Sequence, residues 1–203
     1  SPIKSAETSS AEKNFLSIRE LTVGGLFASL IAAGAFIKIT LPIQPIPMHF
    51  TLQWFFVLLA GLLLNKKLAG ASVGVYLLLG LMGVPVFASG GGMSYLLRPT
   101  FGYLIGFGVS AYSMAWLCER VQSLSFIKLL LVSVAGLLIY YSIGVVYYFL
   151  VCRLIIAQEV TWQILLFNCF LLTVEADFGL CIAAVSVAAK LRKKKKKTLY
   201  ESW

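Results

Sequence analysis

The stretch LGLMGVPVFASGGGMSYLLRPTFGYLIGF, residues 79–107, decides how this chain is organised. Apolar sequence of helical character stands on both sides of a Gly-Val-Pro break, three consecutive glycines at 90–92 and the pair Arg98-Pro99. Non-helical backbone near a bilayer is tolerated where it lines a cavity or is buried in protein. Gly and Pro also punctuate ordinary loops outside the membrane. The stretch therefore predicts two spans joined either by a ligand-contacting loop or by a plain connection.

The composition is that of a polytopic membrane protein. Of the 203 residues, 60% are hydrophobic, and the mean hydropathy is +0.90. Soluble globular proteins have about 45–50% apolar residues, and several segments here reach the roughly 20 apolar residues that a membrane helix needs. The four cysteines lie in apolar sequence without C-x-x-C spacing, so they indicate neither a zinc site nor a disulfide framework.

Six apolar segments are predicted to be transmembrane helices, at about 21–39, 50–64, 68–82, 103–117, 127–150 and 174–189. Residues 1–20 then form an N-terminal cytoplasmic segment, 21–190 an all-α membrane domain, and 191–203 a basic cytoplasmic tail. Three prolines within residues 41–49 exclude regular helix there and predict an extended loop. The apolar stretch 161–189 is too long for one untilted span, so residues 162–172 are predicted to be a short interfacial segment.

The basic residues orient these spans. With the N-terminus inside, fourteen of the seventeen Lys and Arg residues lie on the inner side, including the block at 192–197. Only Lys38, Arg98 and Arg153 lie outside, which agrees with the positive-inside rule. In a soluble protein such a block would suggest nucleic-acid binding. Directly after a span it predicts contact with membrane lipid, and no nucleic-acid partner.

Two charged residues on the outer side are the main candidates for a ligand site. Ionisable residues inside a membrane protein are costly and mark functional sites. Asp177 at the start of the sixth span and Arg98 in the glycine-rich loop are predicted to face one pocket. That pocket would suit a small ligand with hydrogen-bond donors and an anionic group. The alternatives are a helix N-cap for Asp177 and an interfacial anchor for Arg98. Aromatic side chains are expected to form the pocket walls: Tyr76, Phe87, Tyr95 and Tyr103.

Enzyme chemistry is not indicated. No G-x-x-x-x-G-K-[ST], H-E-x-x-H or G-x-S-x-G motif occurs, and the single histidine, His49, leaves little scope for a catalytic triad. His49 is interpreted as an interfacial residue, with ligand contact or proton relay as the alternative. Glu175 and Asp177 are two residues apart and do not share a helix face. We therefore predict no enzyme activity, no cofactor and no metal site.

Three segments, TLQWFFVLLAGLLL (51–64), LAGASVGVYLLLGLMGVPVFASGGG (68–92) and RPTFGYLIGF (98–107), resemble the BioY family. That family comprises the membrane-embedded S components that capture biotin for energy-coupling-factor (ECF) vitamin transporters. The resemblance implies a six-helix S-component-like bundle with an outward-facing biotin pocket, covered by the loops after spans one and three. It also implies an ECF transmembrane coupling protein and ATPase subunits as partners, although some members are thought to work without them. A different small vitamin or precursor, or a membrane assembly role, remains the alternative.

The resemblance also implies site residues. The loop from Gly83 to Ser89 matches the family's substrate-contacting loop, and Tyr103 lies in its PT-x-GYL segment. Asp177 looks like the acidic residue that opens the family's last helix, where a carboxylate would accept the ureido N–H groups of biotin.

Two positions depart from the family pattern. Leu180 stands where the family has a lysine three residues after the acidic residue, and Arg98 precedes PT-x-GYL where glycine is usual. We therefore expect Arg98 to take over the cationic role and to meet the valerate carboxylate.

The first span carries small residues at three- and four-residue spacing, which lets helices approach closely in lipid. The resemblance to S components implies that Ala28 and Ala32 belong to the surface that docks on the coupling protein.

Overall fold

The computed structural model describes residues 17–41, 48–121, 125–157, 161–163 and 172–201. Within these ranges the chain forms six α-helices and one two-stranded hairpin. The strands are β1 (Lys38–Leu41) and β2 (Met48–Thr51), and a short 3₁₀ helix covers Met93–Leu97. The helices are α1 (Ile18–Phe36), α2 (Gln53–Leu63), α3 (Lys66–Leu81), α4 (Phe101–Arg120), α5 (Phe126–Leu154) and α6 (Leu172–Glu201). The predicted all-α membrane fold with six helices is confirmed.

Polar caps set where the helices begin. Ser17 and Glu20 form a capping box, in which the Ser17 hydroxyl accepts from the Glu20 N–H and the Glu20 carboxylate accepts from the Ser17 N–H. This box starts α1 at Ile18, three residues before the predicted start. Asn65 and Ser125 are the N-caps of α3 and α5, and the side-chain oxygen of each accepts a hydrogen bond from a backbone N–H of the first turn.

The end of the first span is an extended strand, which corrects the prediction of helix to residue 39. Helix α1 ends at Phe36, and β1 pairs antiparallel with β2 so that Lys38 lies opposite Thr51 and Thr40 opposite His49. The extended conformation predicted for residues 41–49 is confirmed at its described ends, while residues 42–47 lie outside the described part. The pairing of the two ends was not predicted.

Helix α2 is the centre of the bundle and is shorter than the predicted second span. It has 11 residues, or about 16 Å at 1.5 Å per residue, against a hydrocarbon thickness of about 30 Å. It packs against α1, α4 and α6, and most of its residues are buried. By length and composition, α1, α4 and α5 are the described helices that can cross a membrane. The hairpin directly precedes the N-terminus of α2.

Helices α4 and α5 make the closest pair because glycines remove side chains from their contact. A Cβ on Gly106 would lie 2.8 Å from the Tyr140 carbonyl oxygen, and a Cβ on Gly144 would lie 2.2 Å from the Tyr103 ring. The Ser110 hydroxyl donates across the same contact to the carbonyl of Gly136 at 2.7 Å. This close approach brings the rings of Tyr103 and Phe107 on α4 against the ring of Tyr140 on α5.

The opposite end of the bundle is held by charged groups. Helix α6 continues without a break past the predicted end of the sixth span and through the lysine block. The Arg192 guanidinium donates to the carbonyl oxygen of Leu62 at the end of α2. The Lys66 ammonium and the Glu119 carboxylate form a salt bridge at 3.2 Å between α3 and α4. The predicted interfacial segment 162–172 lies largely outside the described residues.

Candidate functional site

A cavity lies between the hairpin, the glycine-rich loop and the ends of α2, α4, α5 and α6. Its half-buried lining residues form a rim: His49, Phe50, Thr51, Ala88 and Thr100. Its buried lining residues form an inner end: Gln53, Trp54, Tyr95, Tyr103, Leu104, Phe107, Tyr140, Thr173 and Asp177. The cavity is therefore open toward the hairpin and closed toward the middle of the bundle. Concave sites with apolar walls and a few convergent polar groups are typical ligand sites.

Asp177 is the charged group of the inner end, and only 2% of its surface is exposed. Its Oδ2 accepts hydrogen bonds from the phenols of Tyr141 at 2.6 Å and Tyr140 at 3.2 Å. The Tyr141 hydroxyl also lies 2.6 Å from the Thr173 hydroxyl. The expectation that Asp177 contributes to a pocket agrees with this placement. The N-cap alternative does not, because α6 begins five residues earlier, at Leu172.

An aromatic stack forms one wall of the inner end. The Trp54 ring lies 4.7 Å from the Tyr140 ring and 5.8 Å from the Phe107 ring, stacked on both at interplanar angles near 23°. The Tyr103 ring meets the Tyr140 ring edge-on at 5.5 Å. Rigid, preorganised rings of this kind give a flat apolar surface on which a small ring can pack.

Contacts between two separate segments hold the rim together. The His49 ring lies between Thr40 and Ser89, with Nδ1 3.0 Å from the Thr40 hydroxyl and Nε2 2.8 Å from the Ser89 hydroxyl. The Lys38 ammonium donates to the carbonyl of Ala88. The hairpin is thereby tied to the loop after α3. Partial burial lowers the pKa of His49, and the positive charges of Lys38 and Arg98 lower it further.

A second set of buried polar contacts fixes the start of α2 beside this loop. The Gln53 amide nitrogen donates to the Tyr76 hydroxyl at 2.6 Å, and the Tyr76 hydroxyl donates to the Val86 carbonyl at 3.3 Å. The Thr51 hydroxyl donates to the Gln53 amide oxygen at 3.1 Å. Tyr76 therefore supports the loop from below and does not line the cavity, which differs from the wall role expected for it.

The other three expected wall residues fall into two groups, one beneath the loop and one in the cavity lining. Phe87 is 1% exposed and packs edge-on against Tyr76 beneath the loop. Tyr95 and Tyr103 line the cavity as expected. Burial raises the pKa of the Tyr95 phenol.

The predicted ligand residues take different positions. Tyr103 and Asp177 are at the inner end, and Ser89 is at the rim through His49. Gly83 is exposed after α3 with φ +104°, a conformation that favours glycine, and it does not line the cavity. Arg98 is also exposed outside the lining, with its guanidinium 5.1 Å from the centre of the Tyr95 ring.

Arg98 is therefore not beside Asp177 among the residues that line this cavity. It lies near His49 at the rim end, and its contact with a ligand stays a prediction. Leu180, at the position of the family lysine, is half-buried and packs against the core.

The docking residues of α1 are also placed differently from the expectation. Ala28 is buried against the bundle and Ala32 is half-buried. The exposed small residues of this helix are Gly25, Ser29 and Ala33, one turn apart on one face. Helical spacing alone does not tell which side of a small-residue helix faces its own bundle.

Comparison with known proteins identifies the family. The family model of the BioY family matches residues 7–197. The chain belongs to the BioY family. A curated BioY relative, the probable biotin transporter BioY of Lysinibacillus sphaericus, is 40% identical over 173 residues, which are 85% of this chain and 86% of the relative. The biotin transporter BioY of Thermotoga maritima is 46% identical over 129 residues, or 63% of this chain and 73% of the relative.

The fold is also that of a solved structure. The 2.1 Å crystal structure of the S-component for biotin from an ECF-type ABC transporter superposes with a TM-score of 0.75 at 24% identity. The match covers 87% of this chain and 92% of that chain. The predicted BioY resemblance is thus confirmed, and the chain is a multi-pass membrane protein of a transporter family and not an enzyme.

Several residues of the cavity were not predicted. Trp54, Tyr140 and Thr173 lie within apolar helical sequence, where an aromatic or hydroxyl residue reads as ordinary packing. Tyr140 and Asp177 are 37 residues apart, and only the packing of α5 on α6 brings them together. The available signal was the pair Tyr140-Tyr141 in the middle of the span, apart from the second aromatic run at 147–149.

Proposed function

We propose that this chain is the biotin-binding S component of an ECF-type transporter in the cytoplasmic membrane. The observation that carries the proposal is the polarity of the cavity from one end to the other. A buried carboxylate stands at the inner end, aromatic rings form the wall, and cationic side chains stand near the rim. Biotin has the complementary order of groups: ureido N–H donors, an apolar bicycle and a carboxylate at the end of a chain.

At the inner end, we assign the ureido ring to Asp177. A carboxylate that accepts N–H groups in a buried site makes short, strong hydrogen bonds. The bicycle would then pack on the stack of Trp54 and Tyr140, with Tyr103 on the adjoining side. The curated relatives named as biotin transporters support this choice of ligand.

At the rim, the carboxylate of the ligand would meet positive charge. Lys38 and Arg98 both act electrostatically on His49, which lines the rim. Lys38 is therefore a second candidate for the cationic role that the sequence suggested for Arg98 alone. Ser89 contributes by holding His49, and Gly83 by allowing the turn that presents this loop.

The remaining parts of the proposal concern orientation and partners. We place both termini on the cytoplasmic side, the cavity on the outer side and the basic end of α6 against membrane lipid. The sequence has no phosphate-binding loop, so transport energy would come from ECF ATPase subunits through a transmembrane coupling protein.

Docking on that coupling protein would use the exposed small face of α1, with Ala32 at its edge and Ala28 beneath it. A Ser29→Leu variant should lose co-purification with the coupling protein while still binding biotin. Ser142→Leu is a matched control, because Ser29 and Ser142 are both exposed and both donate to the carbonyl one turn earlier. Equal co-purification of the two variants would contradict this docking face.

Calorimetric titration of the detergent-purified protein with biotin tests the proposed ligand. We expect nanomolar affinity, about −12 kcal/mol, with riboflavin and thiamine as negative controls. Absence of biotin binding by protein that unfolds cooperatively on heating would contradict the proposal and would favour a different vitamin.

A further inference from the structure

Asp177 is a buried carboxylate that no cation neutralises within the described part of the chain. The salt bridge found among the described residues joins Lys66 and Glu119 at the other end of the bundle. An ionised carboxylate in an apolar interior is costly unless hydrogen bonds satisfy it. The phenols of Tyr140 and Tyr141 supply those hydrogen bonds, and both reach the same oxygen, Oδ2. Among the described side chains, none donates to Oδ1.

The two phenols have different positions relative to the cavity. Tyr140 lines it and stacks on Trp54, so its ring can contact a ligand directly. Tyr141 is not part of the lining, yet it makes the shorter hydrogen bond, 2.6 Å against 3.2 Å. Tyr141 therefore acts on the cavity through Asp177.

Proton counting fixes the direction of the contact behind Tyr141. A phenol has one proton. If Tyr141 donates it to Asp177, the 2.6 Å contact between Tyr141 and Thr173 is donated by the Thr173 hydroxyl. Thr173 and Asp177 are one helical turn apart on α6. The three residues thus form a directed relay, Thr173 to Tyr141 to Asp177, between α6 and α5.

We propose that this relay is a positioning device that turns Oδ1 of Asp177 toward the ligand and sets the selectivity for ligands with N–H donors. The inference rests on the proposed function, because biotin's ureido group is the donor it is assigned to. Tyr141 is a positioning residue and not a ligand contact. The relay stabilises the charge of Asp177 in place of the family lysine, since position 180 is a leucine in this chain.

Titration of the purified full chain with biotin tests the relay. We expect Tyr141→Phe to weaken biotin binding about tenfold, the scale of a hydrogen bond to a charged group. Tyr147→Phe is the matched control, since Tyr147 lies on the same helix and its phenol donates at 2.6 Å to the Leu96 carbonyl, away from Asp177. This control should change affinity by less than about twofold.

A double-mutant cycle separates positioning from a general structural effect. In an Asp177→Asn background, Tyr141→Phe should have little further effect, because the charge it positions is gone. Selectivity gives a second readout: the affinity ratio of biotin to an analogue methylated on a ureido nitrogen should fall in Tyr141→Phe. A loss of packing alone would weaken both ligands equally and would persist in the Asp177→Asn background.

The outcomes are distinct. In one outcome, the wild-type chain and Tyr141→Phe bind biotin equally well, while Asp177→Asn binds it more weakly. The relay is then wrong and the proposed function stands. If the wild-type chain does not bind biotin, both fall. Should Tyr141→Phe fail to fold in a thermal unfolding assay, Thr173→Val replaces it. The valine variant should lower the affinity ratio of biotin to the ureido-methylated analogue, and an unchanged ratio would overturn the relay.

Discussion

The two ends of the cavity are built by different means. At the inner end, Asp177 and Tyr140 are carried by two long helices whose packing fixes them, and both are buried. At the rim, His49 and Ser89 belong to a hairpin and a loop that meet through side-chain contacts. Elements held by few buried contacts open more readily than packed helices. We therefore expect the inner end to decide which ligand is bound, and the rim to decide how fast it enters and leaves.

The largest effect on affinity should come from the inner end. Asp177→Asn keeps the size of the side chain but replaces an ionised acceptor, so biotin binding should weaken by about 2 kcal/mol, or roughly thirtyfold. Calorimetry measures this change. Association rates should stay close to those of the wild-type chain. A slower association rate without weaker equilibrium binding would mean that Asp177 controls ligand entry. That result would contradict the assignment of ligand selectivity to the inner end.

The aromatic wall should contribute less than the carboxylate. Trp54→Leu removes the stack with Tyr140 and Phe107, and we expect a loss of about 1 kcal/mol in biotin affinity, the scale of a ring pair. Trp116→Leu is the control, since Trp116 packs under Arg120 at the far end of α4. Equal losses in the two variants would indicate general destabilisation instead of a ligand contact.

The rim should affect rates more than affinity. His49→Gln disturbs the contacts to Thr40 and Ser89, and the biotin dissociation rate should rise about two- to tenfold, the scale of one or two net hydrogen bonds. Stopped-flow competition with labelled biotin gives this rate. Association should accelerate as well, which leaves the equilibrium constant nearly unchanged. A loss of affinity as large as that of Asp177→Asn would make His49 a direct ligand residue.

Acid should loosen the rim in the wild-type chain. The pKa of His49 is lowered because partial burial and the nearby Lys38 and Arg98 disfavour the imidazolium. A histidine with a lowered pKa stabilises its contacts while neutral, and that contribution is lost as pH falls below its ordinary value of about 6.5. Biotin dissociation should therefore accelerate as the pH falls below about 6.5. The His49→Gln variant should lack this pH dependence, and a wild-type rate that is flat over the same range would contradict the role of His49.

The smallest effect should come from Arg98. It is exposed and stacks on Tyr95 outside the cavity lining, so Arg98→Ala should change biotin affinity by about twofold or less at physiological salt. The effect should grow at low ionic strength, where exposed charges are screened less. A salt-independent loss of tenfold or more would restore Arg98 as the direct partner of the ligand carboxylate.

The features of the fold and of the site that depend on local sequence pattern or on family resemblance could be predicted from the sequence. Apolar segment length predicted six helices, and a carboxylate within apolar sequence pointed to Asp177, which lines the cavity. The sequence did not predict the partners of that carboxylate, because Tyr140 and Tyr141 read as packing residues until α5 lies against α6. Nor did it predict that α2 begins only at Gln53, since Phe50 and Thr51 are as compatible with a strand as with a helix. Arg98 was assigned because it stands where the family usually has glycine while Leu180 stands at the position of the family lysine, and such a pair of departures carries no geometry.

An experimental structure of the biotin complex tests the central claim most directly, through one distance. The account predicts that a ureido nitrogen of biotin lies within hydrogen-bond distance of Asp177 Oδ1, about 2.7–3.2 Å, with the carboxylate of biotin at the rim near Lys38. Biotin bound in the reverse direction, or outside this cavity, would contradict the account.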